Sequence, residues 1–101
     1  MARRSGDYFE FDWDKGNKDK NWVRHRVSNQ QAEQIFVDKF AFVTPDVKHS
    51  TIEPRYQILG QTFAGRYLAV YYTLRGIKIR IISARPMNKK ERTQHEKQKE
   101  I

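Results

Sequence analysis

The residues best suited to chemistry in this chain are arginines, because they lie in a long stretch that has no acidic side chains. Residues 55–88 contain six cations and neither Asp nor Glu, within a 101-residue chain of formal net charge +8. Arginine presents a planar set of donors that matches a phosphate group. Without counterions nearby in sequence, these side chains are expected to face solvent, a partner chain or a bound anion. The six cations are Arg55, Arg66, Arg75, Lys78, Arg80 and Arg85. A basic surface that serves only solubility and a binding surface for nucleic acid both fit this charge pattern.

Other catalytic chemistries find little support in the sequence. The chain has no cysteine, which removes disulfides, thiolate nucleophiles and thiolate metal ligands. His25, His49 and His95 are far apart and none has the His-x-x-x-His spacing, so neither a metal site nor a cofactor is expected. The glycines fit turns rather than a phosphate-binding loop, and neither Ser28 nor Ser83 lies in a nucleophile motif.

RNA cleavage remains, because RNA supplies its own nucleophile. The 2′-hydroxyl lies beside the phosphate that it attacks, so an enzyme needs cations that stabilise the phosphorane and a modest acid and base. The residues able to carry the proton are His25, His49, Glu53 and Tyr56, and the sequence does not select among them.

The elements that must position these side chains follow from hydrophobic periodicity and capping signals. Ser28 with Gln31 has capping-box spacing, as has Asn88 with Glu91, and Asp14 is a plausible cap for an earlier helix. The pattern predicts an α+β fold with strands at 8–13, 40–43, 55–61, 66–73 and 78–85, and with helices at 15–25, 28–38 and from 88 onward.

A tight turn at Arg75-Gly76 would fix the register of the last hairpin. Paired positions would then sum to 151, which sets Arg66 opposite Arg85 at the rim of an apolar face. Like charges that face each other on a sheet are destabilising, so this pair predicts either a functional anion site or two side chains that splay into solvent. The outer face would carry Tyr67, Tyr71, Lys78 and Arg80, a set that fits ordinary solvent-facing strand residues and also fits a surface on which bases stack between cations.

The sequence also gives expectations for the C-terminal segment, the number of domains and the cellular location. No aliphatic or aromatic residue lies between Asn88 and Glu100, so this segment is expected to be a solvated helix or a frayed tail. We expect one domain over residues 1–101, with residues 1–7 and about 96–101 flexible. The basic start lacks the apolar run of a signal peptide, and no stretch could cross a membrane, so a cytoplasmic protein is expected.

The order and spacing of several motifs resemble the BrnT family of small toxins, which are ribonucleases of type II toxin–antitoxin systems with a RelE-like fold. Phe11-Asp12-Trp13-Asp14 resembles the family's F-E-W-D, and Arg80-Ile81-Ile82-Ser83-Ala84-Arg85 resembles its R-I-I-S-A-R. Further matching stretches are Arg24-His25-Arg26-Val27-Ser28, Ala32 through Phe36 with Asp38, Asp46 with His49-Ser50, Glu53 with Arg55-Tyr56 and Gly60, Gly65-Arg66-Tyr67-Leu68, Tyr72-Thr73 and Glu91-Arg92.

The resemblance implies a mainly antiparallel sheet with two helices after the first strand and one at the C-terminus. It also implies metal-independent mRNA cleavage that arrests translation, a cognate BrnA-like antitoxin, and operator DNA bound only through that antitoxin. Arg66 and Arg85 fall on family motifs and are the first candidates for a phosphate clamp, followed by His49, Glu53, Arg55 and His25. The expected RNA contacts are Lys18, Lys20, Arg24, Tyr71, Lys78 and Arg80.

Three positions depart from the family pattern. Asn17 replaces a lysine, Arg26 replaces a glycine and would require ordinary φ unless the turn has changed, and Asn29 replaces an aromatic residue. The sequence is therefore compatible with three functions. The chain is an active ribonuclease toxin, a catalytically decayed homologue that binds antitoxin or DNA, or a non-catalytic RNA-binding module.

Overall fold

A computed structural model describes residues 9–49 and 52–100, which form an α+β fold around one mixed five-stranded sheet. The strands are β1 (Glu10–Phe11), β2 (Phe42–Pro45), β3 (Arg55–Gln61), β4 (Tyr67–Arg75) and β5 (Lys78–Pro86). The helices are α1 (Lys20–His25), α2 (Asn29–Gln34) and α3 (Lys89–Lys97), and short 3₁₀ turns cover Ile35–Val37, Val47–His49 and Gln98–Glu100. The sheet order is β1-β5-β4-β3-β2, with β1 parallel to β5 and the other pairs antiparallel. This confirms the predicted α+β class and its order of helices.

The first helix is shorter than predicted because its expected cap forms a turn. The Asp14 carboxylate accepts a hydrogen bond from Gly16 N at 2.7 Å, and Asp14 N donates to Asn17 Oδ1 at 2.8 Å. These local bonds compete with helix formation, so α1 begins only at Lys20. The cap of α2 is confirmed: Gln31 N donates to Ser28 Oγ and Ser28 N donates to Gln31 Oε1, both at 3.0 Å.

The sheet buries apolar side chains on both of its faces. The larger cluster joins α2 and its two flanking turns to one face, and the smaller cluster lies on the face that carries α3. The larger cluster contains Val27, Ala32, Ile35, Ile58, Leu68, Val70, Ile79, Ile81 and Ala84. The smaller one contains Leu59, Ala69 and Met87. Within the described ranges, no helix is long and apolar enough to span a membrane.

The register of the last hairpin differs from the predicted one at two places. Arg75 pairs with Lys78, so the turn residues are Gly76 and Ile77, and Gly76 has the φ of +62° that suits a type II′ turn. Further along, Tyr72 pairs with Ile81 but Tyr71 pairs with Ser83, which leaves Ile82 as the extra residue of a β-bulge.

The predicted opposition of Arg66 and Arg85 is therefore wrong. Arg85 pairs with Ala69, and Arg66 lies just before β4. Because one inserted residue reverses the alternation, the bulge moves Arg85 to the α3 face. Arg66 instead donates hydrogen bonds on the face that carries α1 and α2.

Helix α3 docks on the sheet through polar side chains, contrary to the prediction of a solvated or frayed segment. Glu91 and His95 are 7% and 0% exposed. His95 Nε2 lies 2.7 Å from Asp38 Oδ2, and Asp38 also accepts hydrogen bonds from Phe40 N and Gln61 N at 2.9 and 2.8 Å. Of the two ends that were predicted to be flexible, residues 98–100 continue α3 as a 3₁₀ turn. Residues 1–7 lie outside the described part of the chain.

The docking of α3 predicts a loss of stability in acid. Burial alone would raise the pKa of Asp38, but the hydrogen bonds from Phe40 N, Gln61 N and His95 hold it below its ordinary 3.8. Because the unfolded chain then takes up a proton at higher pH than the folded one, Asp38 stabilises the fold above its ordinary pKa and loses this effect as the pH falls through the lowered value. Asp38→Asn should lower the free energy of unfolding at pH 7 by about 2–3 kcal/mol.

Urea unfolding between pH 2.5 and pH 7 measures this effect. The Asp38→Asn variant should lose less of its remaining stability on acidification than the wild type does. Equal acid dependence of the two proteins would contradict a role for Asp38 in docking α3.

Arg26 ends α1 in a backbone conformation that favours glycine. Its φ is +54°, and its N–H donates to the Trp22 carbonyl at 3.0 Å, as in an αL helix cap. The turn therefore has the left-handed geometry that glycine adopts readily, and the expectation of ordinary φ is wrong. The guanidinium lies 5.4 Å from the centre of the Trp22 ring, so the side chain partly offsets the backbone strain.

Two substitutions separate the strain from the side-chain contact. Arg26→Gly and Arg26→Ala both remove the cation–π contact, but only glycine relieves the positive φ. We expect the glycine variant to be more stable than the alanine variant by about 1 kcal/mol, or about 4–8 °C in Tm. Thermal unfolding measured by circular dichroism tests this, and equal Tm values would mean that the left-handed cap carries no strain.

Candidate active site

A cavity of about 270 Å³ lies beside the bulge, on the face of the sheet that also carries α3. It is lined by side chains from three parts of the chain: the 3₁₀ turn after β2, the start of β3, and the middle of the β4–β5 hairpin. These residues are Asp46, His49, Arg55, Tyr71, Ile82 and Ser83. The fold thus brings an imidazole, a guanidinium and a phenol to one concave surface.

His49 is oriented in this cavity by a carboxylate. Its Nδ1 lies 3.0 and 3.1 Å from the two carboxylate oxygens of Asp46, three residues earlier in the same turn. The turn is tied to β3 because Asp46 N donates to the Arg55 carbonyl at 2.8 Å. A carboxylate beside Nδ1 favours the tautomer that carries its proton on Nδ1, which leaves Nε2 as the nitrogen able to accept a hydrogen bond or a proton.

Tyr71 connects the cavity to a network of hydrogen bonds at the start of α3. Its hydroxyl oxygen lies 2.9 Å from Arg85 Nη2 and 2.8 Å from Gln57 Nε2. Arg85 forms a bidentate pair with Glu91, with Nη1–Oε1 and Nη2–Oε2 distances of 2.7 and 2.8 Å. Gln57 Nε2 also donates to Glu91 Oε2 at 3.1 Å.

Both members of the Arg85–Glu91 pair are held in their charged forms. Burial alone would raise the pKa of Glu91, but hydrogen bonds from Arg85, Asn88 N and Gln57 keep it below its ordinary 4.5. The hydrogen bond to Glu91 raises the pKa of Arg85, outweighing the opposite effect of burial. The pair therefore stays ionised throughout the neutral range.

Three side chains from α1 and the turn before it bind the backbone of β5 around the bulge. Asn17 Nδ2 donates to the Ile81 carbonyl at 3.0 Å, and Lys20 Nζ donates to the Ile82 carbonyl at 3.3 Å. Ala84 N donates to Asn21 Oδ1 at 3.0 Å. Asn17 and Asn21 are 3% and 4% exposed, so they replace the strand partner that this part of β5 lacks.

The other predicted catalytic residues lie outside the cavity. Arg66 donates to the carbonyls of His25 and Arg26 at 2.9 and 2.6 Å, and to Gln31 Oε1 at 3.2 Å, so it binds the end of α1 to the cap of α2. The exposed ring of His25 is at the end of α1. Glu53 lies 3.9 Å from Arg75, measured between Oε1 and Nη2.

The predicted RNA contacts are divided among several surfaces. Lys18, Arg24 and Lys78 are exposed, Lys20 binds the bulge carbonyl, and Tyr71 lines the cavity. Arg80 has internal counterions, contrary to the expectation from residues 55–88 alone. Its two terminal nitrogens each lie 3.0 Å from an Asp14 carboxylate oxygen, and Nη1 lies 3.6 Å from Asp12 Oδ2.

The sequence patterns did not identify Asp46 as the partner of His49, nor Gln57 as the partner of Tyr71. A carboxylate three residues before a histidine within one helical turn was the available signal for Asp46. For Gln57 the signal is weak, because a cross-strand contact becomes visible only when the register is known.

Removal of the Asn21 side chain tests the anchoring of β5. Asn21→Ala leaves the buried N–H of Ala84 without an acceptor, which should cost about 1–3 kcal/mol of folding free energy. Asn29→Ala is the matched control, because its amide bonds only to exposed groups of Asp19 at 3.2 Å. Urea unfolding of both variants measures the free energy of unfolding. Similar losses of this free energy in the two variants would show that Asn21 does not stabilise the edge of β5.

A family model described as "Ribonuclease toxin, BrnT, of type II toxin-antitoxin system" matches residues 13–91. A comparison with curated proteins gives no significant match. The matched region contains β2 to β5 and every residue that lines the cavity. The chain therefore belongs to the BrnT family of ribonuclease toxins of type II toxin–antitoxin systems.

Proposed function

We propose that this chain is a metal-independent endoribonuclease that cleaves mRNA in the cavity lined by His49, Arg55 and Tyr71. The observation that carries the proposal is an imidazole, oriented by Asp46, that shares a cavity with a guanidinium. A general base and a cation beside one phosphate are the requirements for attack by a neighbouring 2′-hydroxyl.

In the proposed reaction, His49 Nε2 takes the proton from the 2′-hydroxyl. The 2′-oxygen forms a bond to phosphorus and the bond between phosphorus and the 5′-oxygen breaks. Arg55 stabilises the negative charge of the phosphorane, and the products are a 2′,3′-cyclic phosphate and, once the leaving 5′-oxygen takes up a proton, a 5′-hydroxyl. The nucleophile belongs to the substrate, so the reaction requires no metal to generate it.

The rest of the chain supplies binding rather than proton transfer. Lys20 donates to the carbonyl of Ile82, which lines the cavity, and this supports Lys18, Lys20 and Arg24 as contacts for the RNA backbone. We assign Arg66 to the packing of α1 and α2, because its donors are occupied by carbonyl and amide oxygens. His25 and Glu53 have no place in the cavity.

The proposed cellular role follows from the family. Cleavage of mRNA would arrest translation and growth until a BrnA-like antitoxin binds, and operator DNA would be bound through that antitoxin. An acidic antitoxin suits a chain of formal net charge +8.

The departures from the family pattern favour activity over decay. Asn17 binds the backbone of β5, Arg26 ends α1 in a left-handed conformation that glycine also adopts, and Asn29 bonds to Asp19. None of the three lines the cavity. The non-catalytic alternative is weakened because Arg92 of α3 covers the Tyr67 ring, with the guanidinium 4.4 Å from its centre.

Substitution of His49 tests the proposal against the competing histidine. His49→Gln should reduce the cleavage rate of a single-stranded oligoribonucleotide by about 10²–10⁴, because general base catalysis is lost. His25→Gln should retain the wild-type rate. Both variants should unfold near the wild-type Tm, and excess chelator should leave the wild-type rate unchanged.

A loss of cleavage in His25→Gln with full activity in His49→Gln would contradict the assigned site. Cleavage of a substrate whose scissile nucleotide is 2′-deoxy would contradict attack by the 2′-hydroxyl. Growth after induced expression provides the cellular comparison, with arrest expected for the wild type and relief expected for His49→Gln.

A further inference from the structure

We propose that the Tyr71 hydroxyl is the proton donor to the leaving 5′-oxygen, and that Arg85, Gln57 and Glu91 position it for this step. This assignment rests on the proposed ribonuclease activity and adds its general acid.

The hydrogen bonds around Tyr71 fix the direction of its own proton. Glu91 Oε2 can only accept, so the side-chain atom of Gln57 that lies 3.1 Å from it is the amide nitrogen. That same nitrogen lies 2.8 Å from the Tyr71 oxygen, and Arg85 Nη2 lies 2.9 Å from it. A guanidinium can only donate. The Tyr71 oxygen therefore accepts both hydrogen bonds, and its own hydrogen is available to a third group.

The cavity is where that third group would bind. Tyr71 lines it together with His49 and Arg55, whereas Gln57, Arg85 and Glu91 are not among its lining residues. The Arg85 guanidinium also lies 5.5 Å from the centre of the Tyr71 ring, which limits the positions of the ring. A phosphate in the cavity would thus have a base and an acid among its neighbours.

The proton balance of the reaction is complete with this assignment. His49 gains the proton of the 2′-hydroxyl, and Tyr71 gives its proton to the 5′-oxygen as the bond to phosphorus breaks. Arg85 and Gln57 remain in place to stabilise the phenolate oxygen. The proton held by His49 then returns to Tyr71 through solvent, which restores both side chains.

Arg85 acts through Tyr71 rather than on the phosphate. Its two terminal nitrogens donate to Glu91, to the Pro86 carbonyl and to Tyr71. The bidentate carboxylate fixes the guanidinium plane, and the capping box at Asn88 fixes that carboxylate at the start of α3. Arg85, Gln57 and Glu91 are accordingly positioning residues.

A substrate that needs no acid gives a direct test. Purified Tyr71→Phe should cleave an oligoribonucleotide about 10²–10⁴ times more slowly than the wild type. If the 5′-bridging oxygen is replaced by sulfur, the thiolate leaves without protonation. On that 5′-phosphorothiolate substrate, Tyr71→Phe should come within about tenfold of the wild-type rate, because the chemistry no longer uses the acid.

Two variants separate this role from a structural one. Tyr72→Phe removes a hydroxyl from the next residue, on the opposite face of the sheet against Phe36, and should cleave both substrates as the wild type does. Glu91→Gln, which leaves Arg85 without its carboxylate, should lower kcat on the normal substrate and be rescued by the thio substrate. Far-UV circular dichroism and Tm establish that each variant is folded.

Equal rates for Tyr71→Phe and wild type on normal RNA would overturn the proposal. A loss of the same size on both substrates would also overturn it, because a donor to the leaving group must be dispensable for a thiolate. Absence of cleavage of either substrate by the wild type would instead refute the ribonuclease function on which the assignment rests.

Discussion

One extra residue in β5 determines which side chains can meet in this protein. Because Ile82 has no partner in the ladder, Ser83 and Arg85 face the same side of the sheet as Tyr71. Without the bulge, Arg85 would lie on the face that packs against α1 and α2, as the uninterrupted register predicted. The carbonyls at the bulge are then bound by Asn17 and Lys20, so α1 and the turn before it depend on the same irregularity as the cavity does. Bulges commonly redirect side chains beside active sites.

Helix α3 completes the same surface from the other side, although it has no aliphatic or aromatic residue. The Glu91 carboxylate of α3 binds the Arg85 guanidinium of β5, and His95 of α3 binds the Asp38 carboxylate of a loop. The acidic side chains that strands β3 to β5 lack are therefore supplied by a helix and a loop. Such docking depends on direction and distance rather than on apolar area, and it positions the start of α3 closely. The contact that stabilises the helix at Glu91 is therefore also the contact that orients Arg85 toward Tyr71.

The sequence predicted the features that depend on neighbouring residues, such as helix caps and strand bounds. It did not predict the features that depend on contacts between residues far apart in the chain. The capping boxes at Ser28 and Asn88 were found because their partners lie three residues apart. The bounds of β3 were found from hydrophobic patterning between turn residues. The bulge left a faint local signal, since Ile81 and Ile82 break the alternation of β5, but its position depends on amide groups contributed by Asn17 and Asn21. The counterions of Arg80 were missed for the same reason, because Asp12 and Asp14 lie far from Arg80 in the sequence.

The cavity also depends on contacts between residues that are far apart in the sequence. Its imidazole, its guanidinium and its phenol come from three separated segments. The imidazole of His49 is held by Asp46 of its own turn, and the phenol of Tyr71 is held by Gln57 and Arg85 of the two neighbouring strands. A surface that only attracted RNA would require exposed cations, and several are present in α1 and in the turn before it. It would not require an imidazole with a favoured tautomer or a phenol whose oxygen accepts two hydrogen bonds. These two features specify where protons can be taken up and released, which is a requirement of catalysis and not of binding.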